Sequence, residues 1–324
     1  MAAAGWAVAV IVGVAGIVWG AEAFAEHLGP AAVALRVSTF ALALLLAGAE
    51  PEELATGLAA SARHAPAIAF GDVVGANVAM CLVALGVGAV VAPLPFGARV
   101  RRYGLLGLPV GLVCVVLMWG GRVSRWQGLA LIGVYVAFVG LIWVLEGEPP
   151  ALGETAELAE AKEIAGELAG APAGRRVGRH LALILVGVAA MAVGATVLVE
   201  GVRHLAHADA SQARLSLTLV GFATAFELVV LAWSASRRGA SEAVVAAVVG
   251  SFAYNATMTL GAAAVLRPLA IVHPSRLHTP LVAMVAALAG AIALSWPAQR
   301  LNRRAGVILL LCYPAFVAAV LIGS

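Results

Sequence analysis

Within LAGAEPEELATGL, Leu46 to Leu58, three carboxylates, Glu50, Glu52 and Glu53, stand among small and apolar residues. A fourth, Glu227, lies near the middle of LSLTLVGFATAFELVVLAWSAS, a 22-residue apolar run bracketed by Arg214 and Arg237. Hard cations such as Ca²⁺ need several oxygen ligands, and carboxylates supply them, with backbone carbonyls freed at a helix break and without thiols or imidazoles. At about 100° per residue, Glu50 and Glu53 lie ~60° apart on one helix face and Glu52 lies further round, so Glu50 and Glu53 are expected to share a cavity. Crowded negative charge also invites protons to compete for the same oxygens.

Taken alone, AEPEEL reads as an exposed helix start, because Pro51 suits the first helical position and Glu52 and Glu53 complement the helix dipole. The second run points elsewhere. Arg36 and Arg63 bracket the first stretch as Arg214 and Arg237 bracket the second. Pro51 is therefore expected to break a membrane helix in mid-bilayer, leaving Glu53 as deep as Glu227. A carboxylate at that depth costs at least ~2.5 kcal/mol even on a lenient insertion scale. Binding a cation would offset it.

The elements that must position these acids follow from composition. Hydrophobic residues make up 63% of the chain and charged residues 11%, well outside the soluble globular range. A bilayer core of about 30 Å needs about 20 apolar residues per helix. About ten such runs occur, at 4 to 26, 31 to 62, 67 to 94, 104 to 119, 126 to 145, 179 to 205, 215 to 236, 242 to 266, 279 to 296 and 305 to 322. Continuous runs argue for helices rather than alternating barrel strands, so an all-α, polytopic, integral membrane protein is expected. MAAAGWAV lacks the basic region and cleavage site of a secretory signal, so the first span is expected to persist. Cys81, Cys114 and Cys312 sit singly in apolar spans, as free buried cysteines do. With the N-terminus outside, basic residues favour the inner loops twelve to seven, which predicts both termini outside. Trp119, Trp126, Trp143, Trp233 and Trp296 read as interfacial anchors. The acids between Glu146 and Gly178 lack EF-hand spacing and read as a solvated linker containing a short helix.

That linker divides two similar halves. At an offset near 174, Gly20-Ala21 with Glu26 answers Gly194-Ala195 with Glu200, and Glu53-Leu54 answers Glu227-Leu228. After a one-residue slip, Val73-Val74-Gly75 answers Val248-Val249-Gly250, and Pro93-Leu94 answers Pro268-Leu269. Five spans per half is an odd number, so the second copy must enter the membrane in the opposite direction. The expected organisation is a first five-helix repeat at 1–145, a cytoplasmic linker at 146–178, and a second, inverted five-helix repeat at 179–324. Inverted repeats around a midplane site are the architecture of secondary transporters.

At these residues the sequence resembles the cation/calcium antiporter superfamily, the sodium/calcium and calcium/proton exchangers. Each repeat of that family carries Gly-Thr-Ser-x-Pro-Glu followed by Gly-Asn-Val-x-Gly-Ser-Asn. GAEPEELATGLAA and GDVVGANVAM resemble the first-repeat motifs, and FATAFEL with VVGSFAYN resembles the second. The resemblance implies that Glu53 and Glu227 are the two central cation-binding glutamates and that Ser251 and Asn255 are second-repeat ligands. Departures are several. Ala49 and Glu50 replace the first hydroxyl pair, Glu52 replaces the proline, and Ala76 and Met80 replace later ligands. In the second repeat Phe226 replaces the proline, while Ala223 and Thr224 stand for the hydroxyl pair. Glu50 adds charge at the motif, and Asp72 lies on the helix face that lost its ligands. Thr224, Glu50 and Asp72 therefore join Glu53, Glu227, Ser251 and Asn255 as expected metal ligands, and Asn77 is expected to be structural.

The resemblance implies a secondary active antiporter that exchanges Ca²⁺ for Na⁺ or H⁺ by alternating access at this shared site, in a plasma or inner membrane. Loss of the family's hydroxyls keeps two other readings open, a Na⁺/H⁺ or other monovalent exchanger and a transport-inactive binding protein. No enzyme activity, no cofactor beyond the transported cations and no nucleic-acid partner is expected, since no nucleotide loop or covalent catalytic arrangement occurs. The partners are inorganic cations and membrane lipid. Glu26, Glu200 and Glu22 admit either an ion-access role or a solvated span end. His204 and His207, beside Asp209 at a span end, read as interfacial despite a metal-compatible spacing. Glu242, beside Arg238, reads as a loop charge.

Overall fold

The structure is a computed structural model describing residues 2–34, 50–147, 174–237 and 241–322. Among these residues, nine helices are long and apolar enough to cross a bilayer. Of the expected second span, 31 to 62, residues 35–49 lie outside the described residues. What is described of it is the end of α1 (Ala2–Ala34) and the short helix α2 (Pro51–Ala62). Most of the linker, residues 148–173, also lies outside them.

After α2 come α3 (Pro66–Ala79), a π-helical turn at Met80–Ala84 and α4 (Leu85–Val91), which run on as one span. Strand β1 (Leu94–Pro95), helix α5 (Ala98–Met118), strand β2 (Arg122–Val123) and helix α6 (Arg125–Glu146) complete the first half. The second half begins with α7 (Gly174–Leu205). It continues with α8 (Asp209–Leu215), a π turn at Ser216–Val220, α9 (Gly221–Thr224) and α10 (Phe226–Arg237). Then α11 (Ser241–Tyr254), a π turn at Asn255–Thr259 and α12 (Leu260–Leu266) repeat the build of α3 to α4 about 175 residues on. Strand β3 (Leu269–Ala270), helix α13 (Ser275–Ser295), strand β4 (Arg300–Leu301) and helix α14 (Arg303–Ile322) close the chain.

The spans Pro66–Val91 and Val244–Leu266 are 83% and 94% buried, against 28% for Ala4–Phe24 and Arg303–Ile322, so these two spans form the centre. Their composition explains this: Ala, Val and Gly dominate, and both keep polar residues that lipid would reject, Asp72 and Asn77 in one, Ser251 and Asn255 in the other. Around them the outer helices show large apolar side chains, such as Val116, Val144, Leu185 and Leu311, as lipid-facing surfaces require. The two-residue strands pair antiparallel, β1 with β4 and β2 with β3. Each pairing joins a connection of one half to a connection of the other. Arg99 to Arg102 thus lie at the same end of the bundle as Arg300 to Arg304, and Arg122 to Arg125 at the same end as Arg267 to Arg276.

Several boundaries differ from the sequence reading. Helix α5 starts at Ala98 rather than 104, because hydropathy marks where lipid begins and Arg99, Arg101 and Arg102 continue the helix beyond it. Likewise α7 starts at Gly174, inside the expected linker. Glu146 ends α6 instead of opening a solvated segment. Its carboxylate, 7% exposed, accepts from Arg99 Nη2 at 2.7 Å and from the Tyr103 hydroxyl at 2.6 Å. Cys81 and Cys114 are buried as expected, but Cys312 lies on the outer surface of α14.

Candidate cation site

Two helix breaks build the site. In the first half Pro51 occupies the opening turn of α2, and Glu50 just before it has φ −116° and ψ 87°, outside the helical region. The Glu50 carboxylate makes no hydrogen bond to the amides of its own helix. It turns instead toward α11, where the Ser251 hydroxyl donates to Glu50 Oε1. In the second half the break falls at Ala225, between α9 and α10, without a proline. Thr224 ends one piece and Glu227 lies in the first turn of the other.

The acids lie deep. Glu50 is 8% exposed, Glu52 2%, and Glu53 and Asp72 0%. Thr224 Oγ1 lies 3.2 Å from Asp72 Oδ1 and 3.1 Å from the Val220 carbonyl oxygen, so its one proton is shared between a carboxylate and the backbone. The same hydroxyl neighbours Glu53, and Asp72 is the charged group that acts most strongly on Glu53. Neither Glu53 oxygen has a hydrogen-bond partner, nor does Asp72 Oδ2. Asn255 Oδ1 accepts from Thr259 Oγ1 at 3.1 Å, while its fully buried Nδ2 is unpartnered.

Ion pairs at helix ends are made by Glu200, with Arg63 and Arg203, and by Glu146, with Arg99. Buried carboxylates normally require pairing or a metal. Here Glu50 and Asp72 each meet a hydroxyl of the other half. Among the described residues no three Cys, His, Asp or Glu side chains converge closely enough to hold a metal by themselves. Any cation bound here would also draw on the hydroxyls and on backbone carbonyls at the breaks.

A close backbone approach holds the halves together at this level. A Cβ at Gly75 would lie 2.4 Å from the Leu217 carbonyl oxygen, and one at Gly221 would lie 2.4 Å from the Ala76 nitrogen. Only glycine permits that crossing of α3 with the second-half π turn and α9. Asp72 is three residues before Gly75 and Thr224 three after Gly221, so the crossing sets their separation. Asn77 ties the halves again, donating to the Phe252 carbonyl at 3.4 Å.

Two expectations change. Glu52, placed off the shared face by the helical wheel, is as buried as its neighbours and lies within hydrogen-bonding reach of Glu50. The wheel fails because Glu50 is not helical, so the turn from 50 to 52 is not 200°. The signal available in the sequence was Pro51 itself, since the residue before proline is driven out of the helical region. Glu227, expected to be as deep as Glu53, is only partly buried, and Phe226 beside it is 50% exposed. Its carboxylate stays within electrostatic range of Glu50.

The remaining candidates lie elsewhere. Glu200 pairs with Arg63 at 2.9 Å and Arg203 at 3.3 Å. The His204 ring stacks on Trp6 at 3.8 Å, as an interfacial group would. Glu22 and Glu26 are exposed. The side chain of Glu242, and Arg36 and Arg238 entirely, lie outside the described residues.

The chain is 30% identical over 131 residues to an uncharacterized membrane protein of Methanocaldococcus jannaschii, a match that takes in 40% of this chain and 42% of that relative's length. Its fold matches solved structures of the sodium-calcium exchanger NCX_Mj. One, soaked with 100 mM Na⁺ and 10 mM Sr²⁺, superposes with a TM-score of 0.60 at 20% identity over 97% of this chain and 98% of that one. Another, soaked with 10 mM Na⁺ and 10 mM Sr²⁺, gives 0.61 at 20% identity over 97% of each chain. The family model described as sodium/calcium exchanger protein matches residues 5–144 and again residues 179–322, one stretch in each half. The chain belongs to the sodium/calcium exchanger protein family.

Proposed function

We propose that this protein is a secondary active antiporter that exchanges Ca²⁺ for Na⁺ or H⁺ across a plasma or inner membrane, by alternating access at one carboxylate site. The observation that carries it is the meeting, deep in the bundle, of first-half acids with second-half hydroxyls. Asp72 meets Thr224 and Glu50 meets Ser251. Each contact would rearrange if the two inverted repeats exchanged conformations, and a bound cation would sense both. Glu53, Glu227, Glu50, Asp72, Ser251, Thr224 and Asn255 are the proposed ligands. Unpartnered carboxylate oxygens on Glu53 and Asp72 are free to take a metal without first giving up a hydrogen bond.

A proton or monovalent counter-ion has its own support. Ala49, Ala76 and Met80 stand where the family carries neutral oxygen ligands, while Glu50, Glu52 and Asp72 add carboxyl groups. The experiment is ⁴⁵Ca²⁺ uptake into liposomes holding purified protein, driven in turn by outward sodium and proton gradients. We expect Glu53→Gln and Glu227→Gln to lower uptake by at least about tenfold, ~1.4 kcal/mol of lost stabilisation. Calcium flux indifferent to both substitutions would refute the site, monovalent flux alone would favour the monovalent exchanger, and no flux of any cation would favour a transport-inactive protein.

A further inference from the structure

The two halves do not sit equivalently around α1 and α7. These helices pack antiparallel along a glycine seam, Gly13 on Gly194 and Gly20 on Gly187. At one end of the seam Trp6 stacks on His204, and at the other His27 meets His180 edge-on. Glu200, one turn before His204, and Glu26, beside His27, therefore lie at opposite ends of the pair. They are repeat counterparts, 174 residues apart, and so are Arg63 and Arg237. Each arginine closes a 12-residue helix that follows a break, Arg63 as the cap of α2 and Arg237 as the last residue of α10.

One of the two matched pairs is made. Arg63 Nη1 lies 2.9 Å from Glu200 Oε1 and joins α2 to α7. Its counterpart, Arg237 with Glu26, is not made among the described residues: the Arg237 guanidinium lies over the Trp233 ring, 4.8 Å from its centroid, and Glu26 is exposed, within electrostatic range of His180. Packing follows the same asymmetry, since α7 lies along α2 while α1 makes at most slight contact with α10. A groove of about 690 Å³ lies between α1 and the second-half break segment, its lining including Val10, Val14 and Val18 of the one and Leu219, Val220 and Ala223 of the other.

We propose that Arg63–Glu200 and Arg237–Glu26 are alternating latches, one at each end of the α1–α7 pair, so that each transport cycle exchanges one ion pair for the other. All four are positioning residues, which act through where α1 and α7 sit. The inference rests on the antiporter reading above and adds to it the groups that hold its two end states. Inverted repeats reach those states by trading conformations around a fixed site, so a contact made by one half in one state is made by the other half in the next. The groove leaves α1 room toward the second half, and the seam keeps α7 with it. Each charge also has a resting place while its latch is open: Arg237 on Trp233, Glu26 in solvent, and Glu200 with Arg203 at 3.3 Å. The latches are weak, as partly exposed ion pairs are, so losing one shifts the balance of states about two- to fivefold and leaves the cycle running.

Cross-linking of the full-length protein in liposomes tests it, with a reducible bis-methanethiosulfonate that spans an arginine–glutamate pair. The background is Cys312→Ser, since the other native thiols, Cys81 and Cys114, are buried. One chain carries Arg63→Cys with Glu200→Cys, the other Glu26→Cys with Arg237→Cys. We expect both pairs to link, either link to stop ⁴⁵Ca²⁺ exchange, and reductant to restore it. Adding Arg63→Gln to the second chain, which opens the opposite latch, should speed its linking about two- to fivefold, an effect that a local structural role for Arg63 would not produce. Failure of Glu26→Cys to link with Arg237→Cys, or a linking rate indifferent to Arg63→Gln, overturns the alternation, as does calcium exchange that continues through both links. Linking is read by mass spectrometry, so these results judge the latches even where no calcium moves, whereas absence of flux from the unlinked wild type counts against the antiporter reading instead.

Discussion

At the scale of single residues, the hydroxyl of Thr224 is the most exposed to test. Asp72 Oδ2 has no hydrogen-bond partner, and Thr224 donates to Asp72 Oδ1 at 3.2 Å, across 152 positions of sequence. Replacing it with valine keeps the volume and leaves a buried carboxyl unsatisfied, a loss of about 1–3 kcal/mol. We expect Thr224→Val to lower the unfolding temperature in calcium-free buffer, Thr224→Ser to restore it, and saturating calcium to shrink the difference by giving Asp72 another partner. A difference unchanged by calcium would place Asp72 outside the cation site. The depth of Glu53 was expected from its match to Glu227, while Asp72 and Thr224 were singled out only by their positions relative to the family motifs. Glu52 was not. The wheel that excluded it presumes helical geometry at Glu50, which the following proline removes.

At the scale of elements, the crossing of α3 over the second-half π turn and α9 fixes the distance between the halves. A Cβ at Gly75 must push against the Leu217 carbonyl at 2.4 Å, and backbone cannot rotate away as a side chain can. Overpacking of this kind costs about 1–3 kcal/mol. Gly75→Ala should therefore lower thermal stability and calcium uptake together, whereas Gly290→Ala, with nothing within 4 Å of its Cβ, should change neither. Uptake that persists in Gly75→Ala at wild-type rate would show the Asp72–Thr224 distance to be irrelevant. Elements read from apolar runs emerged well, because lipid demands them. The π turns at Met80–Ala84 and Asn255–Thr259 did not, since neither carries glycine or proline to mark it. The break at Ala225 was equally silent, since no proline or glycine adjoins it.

At the scale of the whole molecule, α1 and α7 form a unit of their own. Gly13 faces Gly194 and Gly20 faces Gly187, and a Cβ at Gly20 would lie 2.6 Å from the Gly187 carbonyl. Backbones this close associate through van der Waals contact along a smooth seam, as small residues allow in membranes. The pair meets the remainder chiefly through α2, where Arg63 reaches Glu200. Both are partly exposed, so their attraction is worth at most about 1 kcal/mol. Such a tie can be remade cheaply during a movement of α1 and α7 relative to the centre. The two-half organisation was visible in the sequence offset, whereas the strand pairings that lace the halves together, Leu94 with Leu301 and Val123 with Leu269, leave no mark in two-residue segments.

Glu53 is fully buried, neither of its oxygens has a hydrogen-bond partner, and Asp72 and Glu52 are acidic neighbours, which shapes kinetics as well as affinity. A chamber that repels itself when vacant resists sealing, so the vacant carrier is held back from turning its opening to the other side, and slippage of one ion without its counterpart is suppressed. Vesicles preloaded with ⁴⁵Ca²⁺ and diluted into buffer lacking exchangeable metal should accordingly retain their tracer at least about tenfold longer than vesicles diluted into unlabelled calcium, a barrier difference of ~1.4 kcal/mol. Equal rates of loss would mean that the vacant form reorients freely, and that tight pairing of the two fluxes has some origin other than uncompensated charge.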